Sequence, residues 1–284
     1  MFTLIAENKY GEQLDITNTD AYTISSVDGL DPADAVINTS HNAGYDGTVY
    51  TGSYVDSRQI IITLAINKPA EQNRIALYQY FKAKFPVRLY YRNGERDVYI
   101  DGYVQSFQIG FFDKKQTAQI VIYCPQPYFR DTETTAQEFA PSVALFEFPF
   151  SIPAAGVPFS ELSEQQGVII NGGDVETGML IEIVADRGNV GAITIHDEDT
   201  GEYFKLNLSV PRFSVIEINT KKGEKSIKVT SPTGQTINGI RYIGDGSTWL
   251  QLRTGRNKIG ITAEDGTAAN LTARFVVDNC YEGV

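Results

Sequence analysis

Val98-Tyr99-Ile100-Asp101-Gly102-Tyr103-Val104-Gln105-Ser106-Phe107-Gln108-Ile109, followed by Ala118-Gln119-Ile120-Val121-Ile122, is the stretch whose reading decides the fold class. Tyr103, Phe107 and Ile109 stand at even spacing around Gln105, and Ala118, Ile120 and Ile122 alternate beyond the polar turn Asp113-Lys114-Lys115-Gln116. A period of two sends successive side chains to opposite faces of a pleated strand, so the two runs read as a hairpin with one buried face. The same grammar recurs outward in both directions. Asx-Gly pairs fall at 28–29, 46–47, 93–94, 101–102, 171–172, 238–239, 245–246 and 265–266, with short runs of Val, Ile, Thr, Tyr and Phe between them. Such turns favour antiparallel pairing, so the chain is expected to be mainly β.

One segment departs from this pattern. Ala70–Phe85 places Leu77, Phe81 and Phe85 at i, i+4 and i+8, with Ile75 and Tyr78 beside them, and Pro86 follows. Pro69 suits a first turn, Glu71 the positive end of the dipole, and Lys82 and Lys84 the negative end, which predicts a helix over 70–85 packed on a sheet. Residues 28–57 are rich in Gly, Asp, Asn, Ser and Thr, with Tyr45, Tyr50 and Tyr54 interspersed. About 30 residues with so little core-forming content are too many for an ordinary connection. They are either disordered or an extended hairpin that orders against a neighbour.

The segment 124–160 holds Cys124-Pro125-Gln126-Pro127-Tyr128, then Pro141, Pro149, Pro153 and Pro158. Proline removes backbone donors and stiffens the chain, so 131–160 reads as a connector between a domain at 1–130 and a second at 161–284. In the second domain Ile193 and Ile195 share a face ahead of the turn Asp197–Glu202. Val215–Asn219 and Ser226–Thr230 flank another turn, and Leu271, Ala273, Phe275 and Val277 form one face of a last strand. This unit reads as an all-β sandwich.

Of 284 residues, 42% are hydrophobic, enough to fill one or two cores. The longest apolar stretch, Ile60–Ile66, is far short of the ~20 residues of a membrane span. Met1–Glu7 lacks the basic and apolar regions of a secretory signal. The net charge is −11, which argues against binding to nucleic-acid backbones or anionic membranes. Residues 131–284 carry 21 acids against 12 bases, whereas 1–130 are nearly balanced at 14 against 12.

Catalytic chemistry finds little material. Cys124 and Cys280 are far apart with no CxxC, so no zinc site is readable; two reduced thiols are expected, a disulfide between them being the other reading. The only histidines are His41 and His196. His196-Asp197 has no nucleophile elbow to serve, and neighbours on a strand point to opposite faces. Asp197-Glu198-Asp199-Thr200-Gly201 hints at calcium, but an EF-hand loop would need a carboxylate where Leu208 stands. Gly223-Glu224-Lys225-Ser226 lacks the upstream glycine of a phosphate loop, Ile218 occupying that place. No catalytic, metal or cofactor-binding residue is therefore assigned. Tyr203, Tyr242 and Trp249 are the residues that could stack on a sugar ring, or serve as core or protein contacts.

Three features resemble the distal tail protein family of long-tailed, non-contractile bacteriophages, especially those infecting Gram-positive hosts. They are the Gly-rich stretch Ile24–Tyr54 ending in Gly52-Ser53-Tyr54-Val55-Asp56-Ser57-Arg58 before the strand Gln59–Ile66; the lone helix Ala70–Phe85 leading into Val87-Arg88-Leu89-Tyr90-Tyr91; and Cys124-Pro125-Gln126-Pro127-Tyr128-Phe129. Leu250–Ile261 and Tyr281-Glu282-Gly283-Val284 are similar to the family more weakly. The resemblance implies an N-terminal β-sandwich-like domain related to tail-tube proteins and a C-terminal galectin-like β-sandwich. It implies a homohexameric ring, built by the first domain, that joins the tail tube to a hub or lysin protein and can anchor receptor-binding proteins. DNA would pass through such a ring without specific binding, and the protein, made in the bacterial host cytoplasm, would reside at the virion tail tip. The hairpin that reaches across to the next subunit as a belt would be Asp31–Asp56, with Asp31, Tyr45, Asp46, Gly47, Tyr50, Tyr54 and Arg58 as contacts. Cys124, Pro125, Pro127 and Tyr128 would mark the domain junction. The alternative is a carbohydrate-binding or adhesin module working through Tyr242 and Trp249 on host glycans; a wall hydrolase ranks third.

Overall fold

The computed structural model describes residues 2–44, 46–111, 115–139 and 164–284. Pro141, Pro149, Pro153 and Pro158 of the expected connector lie outside the described residues, as do Tyr45, Asp113 and Lys114. The chain divides into two units, Met1–Thr132 with Cys280–Val284, and Glu133–Asn279. The last five residues thus belong with the first unit, where the sequence places them at the end of the second.

In the first unit the strands are β1 (Thr3–Asn8), β2 (Gln13–Asp15), β3 (Tyr22–Asp28), β4 (Ala35–Ser40), β5 (Val49–Val55), β6 (Arg58–Ile66), β7 (Pro86–Arg92), β8 (Asp97–Ile109), β9 (Thr117–Cys124) and β10 (Phe129–Asp131), with helix α1 (Ala70–Tyr80) between β6 and β7. The main sheet runs β2-β1-β7-β8-β9-β6-β3, all antiparallel. Alternation builds its core: Ile60, Ile62 and Leu64 of β6 and Ile120 and Ile122 of β9 are fully buried, with Leu4, Leu89, Val98 and Ile100 from the neighbouring strands. The hairpin of β8 and β9 pairs Ile109 with Ala118 through Tyr103 with Tyr123.

Two details depart from simple periodicity. A β-bulge sits between Val104 and Ser106. One extra residue inverts the alternation, so Tyr103 is exposed while Phe107 and Ile109 turn to the core. The helix buries Leu77 and the following Phe81, but Ile75 and Tyr78 face outward, and it ends at Tyr80 rather than Phe85. Its C-terminal side is claimed by β8: the Lys84 amide donates to the Val104 carbonyl and the Val104 amide to the Phe85 carbonyl. Lys84 adopts φ +71°, turning the chain into β7. Tertiary hydrogen bonds to a strand overrule the helical period here.

In the second unit one sheet runs β11 (Thr135–Phe139), β20 (Thr272–Val277), β13 (Met179–Val184), β16 (Val215–Asn219), β17 (Ser226–Thr230), β18 (Thr236–Asn238). The other runs β12 (Glu164–Asn171), β19 (Gly255–Ala263), β14 (Ile193–Asp197), β15 (Tyr203–Leu206). Ile181, Ile183, Ala273, Phe275 and Val277 of the first sheet share one core with Ile193, Ile195, Phe204, Ile259 and Ile261 of the second. Two antiparallel sheets closing on a common core make a β-sandwich. Residues 135–139, expected in the connector, are an edge strand of this unit because Thr135–Phe139 pair with Ala273–Val277.

Candidate functional site

Strands β4 and β5 pair only with each other. They run from Ala35 opposite Val55 to Ser40 opposite Val49, with a bulge near Gly52, whose φ is +152°. Val36 lies opposite Tyr54 on one face; Ile37 lies opposite Ser53 on the other. The bulge brings Tyr50 to the Ser53 face, where the two hydroxyls are 2.8 Å apart. Val36, Ile37, Val49, Tyr50 and Tyr54 are all exposed, Tyr50 by 61%. Asp46 and Gly47, with φ +100° at Gly47, stand in the connecting turn; Tyr45 lies outside the described residues. A two-stranded ribbon is marginal by itself in water, and apolar residues on both faces with no covering layer mark a surface that meets a partner.

The ribbon leaves the body at a built base. Arg58, the first residue of β6, is 4% exposed, and its guanidinium donates to the carbonyls of Gly29 (3.0 Å), Asp31 (2.9 Å) and Glu282 (2.5 Å). The same group lies 4.8 Å from the centre of the Phe129 ring. Burial holds the Arg58 guanidinium below its usual value, partly offset by Cys124, Asp31 and Glu282 nearby. Three carbonyls at the root of the ribbon are thus served by one planar fork. Gly29 is required at this corner: its φ is +88°, and a Cβ there would lie 2.1 Å from the Gln59 carbonyl oxygen.

The terminal segment completes the base. Strand β21 (Cys280–Tyr281) pairs with β10, Arg130 opposite Cys280, and the Tyr281 hydroxyl donates to Asp131 at 3.1 Å. The Val284 amide donates to the Leu30 carbonyl, and Gly283 packs so closely on Pro32 that a Cβ would approach its Cδ to 2.9 Å. The proline-rich motif lies here too. Cys124, opposite Arg58 across β6 and β9, is fully buried, Pro127 is buried, Pro125 is exposed and Tyr128 is half-buried. Burial pushes the Cys124 thiol up to about 12 and raises the Tyr128 hydroxyl, the latter with Glu282 and Cys280 adding to it. Both cysteines are unbridged thiols.

Of the residues singled out from the sequence, Asp31, Arg58, Cys124, Pro127 and Tyr128 therefore gather at the base, while Asp46, Tyr50 and Tyr54 project along the ribbon. Tyr242 and Trp249 belong to the second unit and lie against its core, Trp249 at 5.2 Å from the Phe204 ring. Asp197 is buried, and its carboxylate accepts the amides of Asp199 and Thr200, capping its own turn. Sequence reasoning missed Gly29 and the contacts of Glu282, Gly283 and Val284, because a five-residue segment has no periodicity to read. The base is geometry for holding a ribbon in one direction; it offers no nucleophile, base and substrate cleft in reach of one another. Among the described residues no three His, Cys, Asp or Glu side chains converge to hold a metal ion, and no helix is long and apolar enough to cross a membrane.

Residues 9–124, which include the ribbon, Arg58 and most of the main sheet, match the model of the phage tail protein RIFT-related domain. Among solved structures the chain is similar to the distal tail protein Dit (gp 19.1) of phage SPP1, described as a paradigm of the hub adsorption apparatus in phages infecting Gram-positive hosts. The TM-score is 0.67 at 14% identity, covering 98% of this chain and 99% of that one. It is also similar to a chain of the phage P2 baseplate in its activated conformation with calcium, with TM-score 0.56 and 13% identity over the full length of both chains. The same baseplate with strontium gives 0.53 at 14% identity. No curated protein matches the chain. The expected class holds: the chain is mainly β, and its fold is like that of the phage SPP1 protein Dit along its whole length.

Proposed function

We propose that this chain is the subunit of a homohexameric ring at the distal end of a phage tail tube. The ribbon Asp31–Asp56 of each subunit lies across its neighbour, and the ring joins the tube to the hub or lysin protein of the tail tip. Its role is structural: the chain works as a collar through which DNA passes in the virion, with no chemistry performed on it. The observation that carries this reading is the ribbon itself, which exposes Val36, Ile37, Val49, Tyr50 and Tyr54 yet is fixed at its base by a buried arginine. A loop evolved only to connect β3 and β6 would need neither. Trp249 packs at a tilt against Phe204, which favours a packing role for its ring over sugar binding.

The test is the solution mass by light scattering, with negative-stain images of the same peak. Closed rings of about 188 kDa, six times 31.4 kDa, are expected for a symmetric collar. Deleting Asp31–Asp56 should leave a folded subunit that no longer assembles. Rings formed by the deleted chain would refute the belt assignment.

A further inference from the structure

If neighbouring copies are joined by the ribbon, as proposed above, a receiving surface must exist on the same chain. A cleft of about 500 Å³ opens between the β1–β2 turn, the C-terminal end of α1 and the start of β7. The Lys9 ammonium lies 4.0 Å from the centre of the Phe85 ring and 4.7 Å from that of Tyr10; Lys82 approaches Phe85 from 5.0 Å. Lys9, Lys82 and Tyr10 are exposed, Tyr10 by 74% and Tyr78 by 38%. The one carboxylate of the lining, Glu12, accepts the Asn8 side-chain amide at 2.8 Å, and among the described residues neither lysine pairs with an acid. The cleft thus presents unneutralised cations among aromatic rings.

Residues 30–57 are its complement. They carry Asp31, Asp34, Asp46 and Asp56 and no Lys or Arg, together with the exposed Tyr50 and Tyr54. Topology sets the two features apart in the way a head-to-tail contact needs. The cleft borders β1 and β2 at one edge of the main sheet, and the ribbon leaves from β3 and β6 at the other. Register places them at the same end of the strands: Asn8 pairs with Val87 and Val87 with Gly102, next to Tyr103, which pairs with Tyr123 and it with Gln59. Two complementary, non-identical patches at opposite edges make a heterologous contact, which closes into a ring when the rotation allows. We infer that the Lys9–Lys82–Phe85 cleft of one copy receives the acidic, tyrosine-bearing ribbon of the next. Charge would set direction and register, and the aromatic and apolar contacts affinity.

Cross-linking between isotopically distinct copies tests this on the full chain. Tyr50 is replaced by photoreactive p-benzoyl-phenylalanine, and equal amounts of normal and heavy-nitrogen protein are mixed and irradiated. Mixed-isotope links into residues 8–12 or 78–86 are expected. The K9E/K82E pair should cut their yield by about tenfold or more, and D34K/D46K in the second population should restore part of it. Circular dichroism verifies that the variants fold. Mixed-isotope links that fall elsewhere overturn the cleft while the belt reading stands. Links confined within single copies overturn both.

Discussion

The guanidinium of Arg58 donates to the carbonyl of Glu282, 224 residues further along the chain. That bond joins the first residue of β6 to the closing segment, and two others from the same group reach Gly29 and Asp31 at the root of the ribbon. One side chain therefore sets the direction in which β4 and β5 leave the body. A salt bridge would not do this as well, because carbonyl acceptors fix the fork in place through backbone that cannot swing.

Arg58→Leu leaves those three carbonyls without their donor. A hydrogen bond to a charged donor contributes about 1.5–3 kcal/mol when buried and less where water can replace the donor, as at the exposed Asp31 and Glu282, so the first unit should lose about 2 kcal/mol. Arg58→Lys should not restore it, since an ammonium lacks the planar fork. Urea unfolding followed by aromatic fluorescence measures both variants. A loss below about 1 kcal/mol would mean that the base tolerates rearrangement.

Phe81 is 1% exposed and lies 6.4 Å from the Phe107 ring. Phe81→Ala should destabilise the first unit by about 3–5 kcal/mol, as truncations of buried aromatics do. Ile75→Ala, one and a half turns earlier on the outward face, should cost under about 1 kcal/mol. Equal effects of the two in thermal unfolding would contradict the placement of the helix.

Cys124 gives the first unit an alkaline limit. Burial raises its thiol from 9.0 to about 12. Between these values the folded chain keeps a proton that the unfolded chain has released. Stability is fully present below pH 9 and falls as pH rises, by up to about 1.4 kcal/mol per pH unit. Cys124→Ala should flatten that slope in denaturant titrations taken from pH 8 to 11. An unchanged slope would assign the alkaline loss to other groups, such as Tyr22 and Tyr128, whose hydroxyls are raised by burial as well.

Trp249→Ala discriminates packing from sugar recognition in the second unit. The ring is half-buried, packs at a tilt against Phe204 and has the Lys225 ammonium 5.5 Å from its centre. The substitution should lower the stability of that unit by about 2 kcal/mol. A glycan array should read the same for variant and parent. Selective loss of binding to a sugar with stability intact would revive the adhesin reading.

Periodicity alone determined that this is a mainly β protein: Ile60 to Leu64, Ala118 to Ile122 and Leu271 to Val277 alternate because a sheet with one buried face demands it. It marked α1 as the exception, and the tyrosine-bearing stretch after residue 28 as chain that cannot build a core of its own. Arg58 was legible as the end of that stretch and Cys124–Tyr128 as a domain-junction motif, though not as parts of one site. What the pattern could not carry was anything resting on contacts distant in sequence. The bulge at Gln105 and the early stop of the helix are settled together by two hydrogen bonds, from the Lys84 amide to the Val104 carbonyl and from the Val104 amide to the Phe85 carbonyl. The grouping of Cys280–Val284 with the first unit follows from pairing with β10 and from the Arg58 bond. Local patterning is written in the spacing of apolar residues, so sequence alone determined the strands and their inner faces. The exit of the ribbon and the base that holds it were decided by tertiary structure, because backbone carbonyls look alike in every sequence and only the fold brings three of them to one guanidinium.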